Sequence, residues 1–446
     1  MSAPPARNTV MSDSAIKSGV ASGSGAEGEG GAAPRYPSRA AGRVRAGVRL
    51  LGRPLTSYYL VLGITLLLVA LGLVMVLSTS SAQSLAQGGS PYAGFQKQLV
   101  GAVVGLPLMW IAARSSPVLF RAAAYPMVAA ALLGLLLVLA VGHSANGAQR
   151  WIQVAGFQIQ PSEFAKLAFV LWGADLLARK EKAGQLTEWR HLLMPLLPGA
   201  AIVSMLVMLG DDLGTTFILL VIFLALLWVI GTPGRLFLGM LGLMGFAMII
   251  LIVVAPYRLE RITGFLNPQA HPTTVGYQAM NGQYAVGSGG WFGVGLGAGK
   301  EKWWVPNTPT DFIFAIIGEE LGLVGTLCVT FLYSGLAYAG LRIARRVPDT
   351  FMRLAAAAVT AWIVVQALVN IGAVLGLLPI TGVPLPLVSA GLSSLLVTLV
   401  ALGMLMSFAK REPGASQALA AAGPGPVLRV LSWLGLATGD SRGRRG

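Results

Sequence analysis

The residues of this chain with the means to do chemistry gather in a few short motifs. Glu163 and Lys166 stand in Gln160-Pro161-Ser162-Glu163, with the lysine three residues on. On a helix that spacing puts both on one face, where they can pair. Asp211 and Asp212 precede an apolar run that opens Leu213-Gly214-Thr215-Thr216. Asp311 opens another, with Glu319 and Glu320 deeper in it. Arg150, Lys300 and Lys302 lie in polar stretches nearby in sequence. Carboxylates of this kind can take a proton, and fixed Arg and Lys cations can stabilise an anion. Each position also has a structural reading. Glu163 and Lys166 can be an ion pair that locks a bundle. Asp212, Asp311 or Thr310 can cap a helix N-terminus. Glu319 and Glu320 cannot both share the face of Asp311 and are expected to be structural.

The elements that must position these residues are read from composition. Of the 446 residues, 55% are hydrophobic and only 11% are charged, and mean hydropathy is +0.72. A soluble enzyme and a disordered protein are excluded; a helical, polytopic membrane protein is indicated. Ten apolar segments are long enough to be spans: 57–78, 96–113, 119–141, 162–178, 192–209, 213–231, 235–255, 312–340, 354–376 and 385–408. With the N-terminus inside, every short inside loop carries Lys or Arg, among them Arg114, Arg121, Arg179, Lys180, Arg342, Arg345 and Arg346. Both termini are therefore expected in the cytoplasm. The candidate catalytic residues then gather at the outer ends of the helices, around a polar cavity open to the outside. A charge inside the hydrocarbon costs about 2.5–3.5 kcal/mol, so that clustering carries information.

Three further segments follow from the same reading. Residues 1–53 are rich in Ala, Gly and Ser and end in Arg39, Arg43, Arg45, Arg49 and Arg53, which predicts a disordered, basic cytoplasmic tail. Residues 411–446 predict a second disordered tail, leaving 54–410 as the membrane domain. The loop 256–311 is too long to be structureless and is expected to fold onto the bundle. Its stretch 285–300 fails the P-loop pattern, because Glu301 follows Gly299-Lys300 where Ser or Thr is needed. Either close backbone approach to a ligand or a membrane-interface turn anchored by Trp291, Trp303 and Trp304 would explain it. The single cysteine, Cys328, allows no internal disulfide, and His143, His191 and His271 are too scattered for a structural zinc site. The net charge of +15 is explained by topology rather than by nucleic acid.

Four separated motifs resemble the SEDS family, whose members act in shape, elongation, division and sporulation. They are GAQRWIQVAGFQIQPSEFAKL (147–167), DDLGTT (211–216), VPNTPTDFIFAIIGEELGLVG (305–325) and NIGAVLGLLPITGVPLPLVSAGLSS (370–394). The resemblance covers about 54–410. It implies a ten-helix peptidoglycan glycosyltransferase that polymerises lipid II, partnered by a class B penicillin-binding protein and other division membrane proteins. Segment 53–82 and the PLPLVSAGLSS end look more like the division branch than the elongation branch. Carried over by motif, Asp311 is the catalytic aspartate, and Arg150, Glu163, Lys166, Asp212 and Lys300 or Lys302 are substrate-binding residues. A divalent cation such as Mg2+ is a further expectation without a ligand signature. The chain departs from the family pattern at Gly210-Asp211 (usually Gln-Pro), at Pro309 (often His) and at Gly391-Leu392 (usually Gly-Gly). The competing class is transport, a lipid II flippase or solute carrier.

Overall fold

A computed structural model of the chain describes residues 55–415 and 417, apart from 87–88, 146–147, 155 and 271–274. The first three helices are α1 (Thr56–Ala86), α2 (Ala93–Arg114) and α3 (Pro117–Val141). A small antiparallel sheet follows, β1 (His143–Ala145), β2 (Ala148–Val154) and β3 (Phe157–Ile159), in the order β1-β2-β3. Next come α4 (Pro161–Lys182), the short α5 (Trp189–Leu193), α6 (Leu196–Leu209), α7 (Leu213–Val229) and α8 (Gly234–Val254). Then α9 (Pro256–Leu266), α10 (Val275–Ser288), α11 (Ile313–Arg346), α12 (Thr350–Val374) and α13 (Leu392–Ala409) complete the described fold.

Eight helical segments are long and apolar enough to cross a membrane: α1, α2, α3, the α5–α6 stretch Arg190–Leu209, α8, α11, α12 and α13. The chain is thus a multi-pass membrane protein, all-α except for the sheet. Helix α7 is as apolar but has 17 residues. Helix α4 is long but carries Glu163, Lys166 and Asp175. It is buried on nearly every face, so these charges meet protein rather than lipid. Helix α8 is the opposite case and buries only Met244.

All ten expected apolar segments fall on helices, with four corrections. The sheet was not anticipated, although β2 and β3 pair through a turn at Gly156 (φ 83°). The segment 192–209 is divided between α5 and α6 by Met194-Pro195, since proline cannot donate the next helical bond. The last span begins at Leu392 rather than 385, because Pro379, Pro384 and Pro386 keep the preceding stretch extended. The membrane domain also runs past 410. Glu412 is buried between Arg342 (3.7 Å) and Arg346 (3.6 Å), and Ala415 is buried as well, so the packed region reaches Ala415. The rest of the expected tails, 1–53 and 418–446, lies outside the described residues.

The core runs through α4, α12 and α13. Helix α13 lies against α2 at close range, where a Cβ on Gly105 would fall 2.5 Å from Leu399 Cδ1. Small residues allow such approach between helices that share no hydrophobic driving force in lipid. Helix α11 is interrupted at Gly322, whose backbone (φ 67°, ψ −162°) is open to glycine alone. A break strands carbonyls on one side and N–H groups on the other. The glycine-rich loop supplies both. Val294 and Gly295 donate N–H groups to the carbonyls of Glu319 (3.0 Å) and Glu320 (3.1 Å). Leu323 and Val324 donate to Gly290 (2.9 Å) and Trp291 (3.2 Å). The loop's glycines thus serve backbone-to-backbone approach, while Trp291, Phe292, Trp303 and Trp304 stay exposed.

Candidate active site

At the sheet end of the bundle the chain encloses a polar cavity of about 470 Å³. Arg150 reaches it from β2, Glu163 and Lys166 from the first two turns of α4, and Asp212 from the turn between α6 and α7. Asp311 reaches it from the segment entering α11. Five of the seven residues expected at the site are therefore brought together.

Lys166 is almost wholly buried. Its ammonium sits 2.8 Å from Glu163 Oε1 and donates to Gln366 Oε1 at 3.0 Å, over the ring of Trp362. Trp362 Nε1 donates to the same Gln366 oxygen (2.7 Å), and Gln366 Nε2 donates to the Pro384 carbonyl (2.9 Å). The second Glu163 oxygen, Oε2, is buried without a hydrogen bond among the described residues. Burying both charges is costly unless they stay paired, so the geometry of this pair is held firmly.

Asp212 does cap α7, accepting from Thr215 N at 3.0 Å. Its other oxygen accepts from Gln160 Nε2 (3.0 Å) and Ser162 Oγ (3.2 Å), which joins the α7 start to the α4 start. Arg150 lies 3.8 Å from Asp212 and donates to the carbonyls of Gly210 and Asp211. Asp211, with a positive φ of 60°, faces away and pairs with Arg258 at 2.7 Å.

Asp311 is not a cap. The N-cap position of α11 is Phe312 and carries no side-chain bond. The main chain around Asp311 is pinned instead: Asn370 Nδ2 donates to its carbonyl (2.8 Å), Ser389 Oγ to the Thr310 carbonyl (2.5 Å), and Ala390 N to the Pro309 carbonyl (2.8 Å). Its carboxyl makes no hydrogen bond or ion pair among the described residues. Burial raises its pKa to about 6, with Arg261 and Arg150 pulling it down and Asp212 pushing it up. A proton acceptor tuned near neutrality, with free lone pairs facing a cavity, is what general base catalysis requires.

Neither Lys300 nor Lys302, expected as a substrate-binding residue, is among the residues lining the cavity. Lys302 is buried with Glu320 (3.0 Å), Ser78 Oγ (3.2 Å) and the Gly297 carbonyl (2.6 Å). Lys300 is exposed, and its backbone N–H donates to Glu319 Oε1 (2.6 Å). Glu319 and Glu320 are structural, as expected, since they tie the glycine-rich loop to α11. Among the described residues, no three His, Cys, Asp or Glu side chains cluster to hold a metal. A Mg2+ ion bound through one carboxylate and a substrate's own phosphates would need no such cluster.

Sequence reasoning missed four residues of the site. Gln98 donates to the Ser389 carbonyl (3.2 Å) and accepts from Gly391 N (3.1 Å), bracing the loop before α13. Gln366 and Asn370 do the same from α12, one turn apart; a polar pair at i,i+4 inside an apolar helix was the available signal. Arg261 of α9 reaches the cavity as well, and its guanidinium sits beside Asp311 at Gly382.

The fold and the cavity together define a polytopic membrane protein with carboxyl and cationic side chains gathered in a cavity at one end of its bundle. Residues 58–413 match the family FTSW_RODA_SPOVE, described as cell cycle protein. The chain belongs to this family, the SEDS proteins. It is 45% identical over 400 residues to a probable peptidoglycan glycosyltransferase FtsW from Mycobacterium tuberculosis, covering 89% of this chain and 75% of that protein. It is 37% identical over 352 residues to stage V sporulation protein E from Bacillus subtilis (78% and 95% covered). Among solved structures it resembles a chain of a peptidoglycan synthase complex that coordinates polymerization and crosslinking. The TM-score there is 0.65 at 30% identity, over 78% of this chain and 96% of that one. The rod shape determining protein RodA of Thermus thermophilus gives 0.58 at 29% identity (79% and 96% covered).

Proposed function

We propose that the chain is a peptidoglycan glycosyltransferase of the bacterial cytoplasmic membrane, polymerising lipid II into β-1,4-linked glycan strands at the division septum. The carrying observation is Asp311: an unbonded carboxyl facing a polar cavity in which Arg150 and Lys166 are fixed nearby. The identity to proteins named FtsW favours division over elongation. In this reading all ten helical segments cross the bilayer, both termini are cytoplasmic, and the cavity opens on the outer face. The synthase complex among its structural neighbours supports a class B penicillin-binding protein as partner.

Lipid II carries its sugar through an α-linked pyrophosphate on a polyprenyl chain. A β-1,4 product requires one displacement with inversion. The acceptor's 4-hydroxyl oxygen bonds to the anomeric carbon of the donor, and Asp311 takes the hydroxyl proton. The bond from that carbon to the phosphate oxygen breaks, and its electron pair leaves with polyprenyl pyrophosphate. Arg150 and Lys166 stabilise that charge. Glu163 and Gln366 hold the Lys166 ammonium in place, and Asp212 braces Arg150.

The test is polymerisation of labelled lipid II in detergent by the protein purified with its class B partner, the partner lacking transpeptidase activity. Glycan ladders are expected from wild type and not from Asp311→Asn. Equal ladders from both would remove Asp311 as base. Ladders from neither, with the complex intact, would move the reading to lipid II flipping, to be measured in proteoliposomes.

A further inference from the structure

Two arginines stand one turn apart on α9 and are used differently. Arg258 is spent: it donates to Asp211 Oδ1 (2.7 Å), to the Leu251 carbonyl (2.8 Å) and to Tyr257 Oη (3.0 Å). Arg261 makes one long hydrogen bond among the described residues, from Nη1 to the Ile380 carbonyl at 3.4 Å. A guanidinium has five N–H donors, so Arg261 holds unused capacity. It is also largely withdrawn from water, and burial lowers its pKa.

Its position gives that capacity a target. Arg261 Nη1 and Asp311 Oδ2 converge on Gly382: a Cβ there would lie 3.5 Å from the first and 3.6 Å from the second. Gly382 has φ 72°, so a side chain is disfavoured and the gap stays open. Arg261 and Arg150 line the polar cavity, and both also line a neighbouring apolar chamber of about 210 Å³ walled by Phe217, Met248, Ile252 and Leu378. The two cations therefore mark the junction between a wet compartment and an oily one. An amphiphile with an anionic group between a sugar and a hydrocarbon chain would place its anion there.

We propose that Arg261 is a further binding residue of this site, which with Arg150 takes the pyrophosphate of the donor at the junction of the two chambers. This rests on the glycosyltransferase reading for the donor's identity. The consequence for the base follows from charge. Asp311 faces Arg261 from α9, Arg150 from β2 and Asp212 from the α6–α7 turn, with Lys97, Glu163 and Lys166 elsewhere around the cavity. In the empty site Arg261 favours ionised Asp311. Once pyrophosphate neutralises Arg261 that influence fades, and Asp311 becomes a stronger base only when a leaving group is in place. The proton it then takes is the acceptor's hydroxyl proton, and the electron pair of the broken bond goes to the pyrophosphate held by the arginines.

The experiment has a binding arm and a kinetic arm. Binding of polyprenyl pyrophosphate, polyprenyl monophosphate and polyprenol in detergent is measured for wild type, Arg261→Gln and Arg261→Lys. Wild type should prefer the pyrophosphate, Arg261→Gln should lose roughly 10- to 100-fold of that affinity, and Arg261→Lys should recover part of it. In polymerisation by the complex, Arg261→Gln should raise the KM and move the acid limb of kcat/KM to higher pH. Equal binding by wild type and Arg261→Gln, with both proteins folded, would overturn the proposal. So would a raised KM in both variants alike with the pH limb unmoved, since that describes a brace for Ile380. Arg261-dependent binding without any ladders would sink the polymerase reading and leave the anion site standing.

Discussion

The two ends of the bundle both bury charge, and they bury it differently. At the end away from the sheet, Asp175 lies between Arg121 (3.2 Å) and Arg179 (2.7 Å), and Arg121 reaches on to Asp349 (3.5 Å), which caps α12. Arg353 meets Glu181 at 3.1 Å, and Glu412 sits between two arginines. Each of these carboxylates faces its cation directly. At the sheet end Asp311 faces two arginines without touching either. Pairs of this kind at the far end tie helices together; a carboxyl left unpaired beside a cavity costs stability and marks a candidate functional group.

The sharpest test of that contrast is at its centre. Asp311→Asn keeps shape and removes the base, and polymerisation should fall by roughly 100-fold or more while thermal stability holds or rises. Lys166→Met should do both kinds of damage. It strands Glu163 in the core, at about 3–5 kcal/mol, and removes a cation from the cavity. The double change Glu163→Gln with Lys166→Met should recover stability in denaturation and leave activity lost; recovery of activity would make that pair architecture as well. Asp175→Asn, at the other end, should cost about 1.5–3 kcal/mol of stability and leave kcat unchanged at a temperature where the protein is folded. A lowered kcat there would erase the division between the two ends.

The pH profile sharpens the same comparison. In the proposed mechanism ionised Asp311 is the active form, and burial raises its pKa to about 6. Activity should therefore hold above pH 6 and fall about tenfold per unit below it, read as kcat/KM against pH. A limb near the ordinary carboxylate range would mean that burial is relieved in the working complex. The smallest effect belongs to Glu181→Gln. Its pair with Arg353 is more than a third exposed on both sides, so the loss should stay within about 1 kcal/mol.

How much of this was legible in the sequence depended on how local each signal was. Apolar runs placed all ten helical segments, and the i,i+3 spacing of Glu163 and Lys166 forecast their ion pair. The positions of Arg150, Asp212 and Asp311 at helix ends forecast one cavity. The burial of Lys302 outside the cavity was not legible because its partner Ser78 is remote in sequence and met only through the fold. Arg261 was invisible for a similar reason. It sits in a polar helix with Arg258 one turn away, and nothing local distinguishes the arginine that is tied down from the one that is not. The sheet was overlooked because three short strands between spans resemble any polar loop.

The interruption of α11 separates two tasks that a continuous helix would combine. From 323 to 346 the helix rises roughly 36 Å at ~1.5 Å per residue, enough to cross a hydrocarbon layer of ~30 Å by itself. The turns above Gly322, with Asp311 at their head, take their position from the loop bonded into the break. The position of Asp311 is thus fixed by contacts within the protein rather than by the length of the segment below the break.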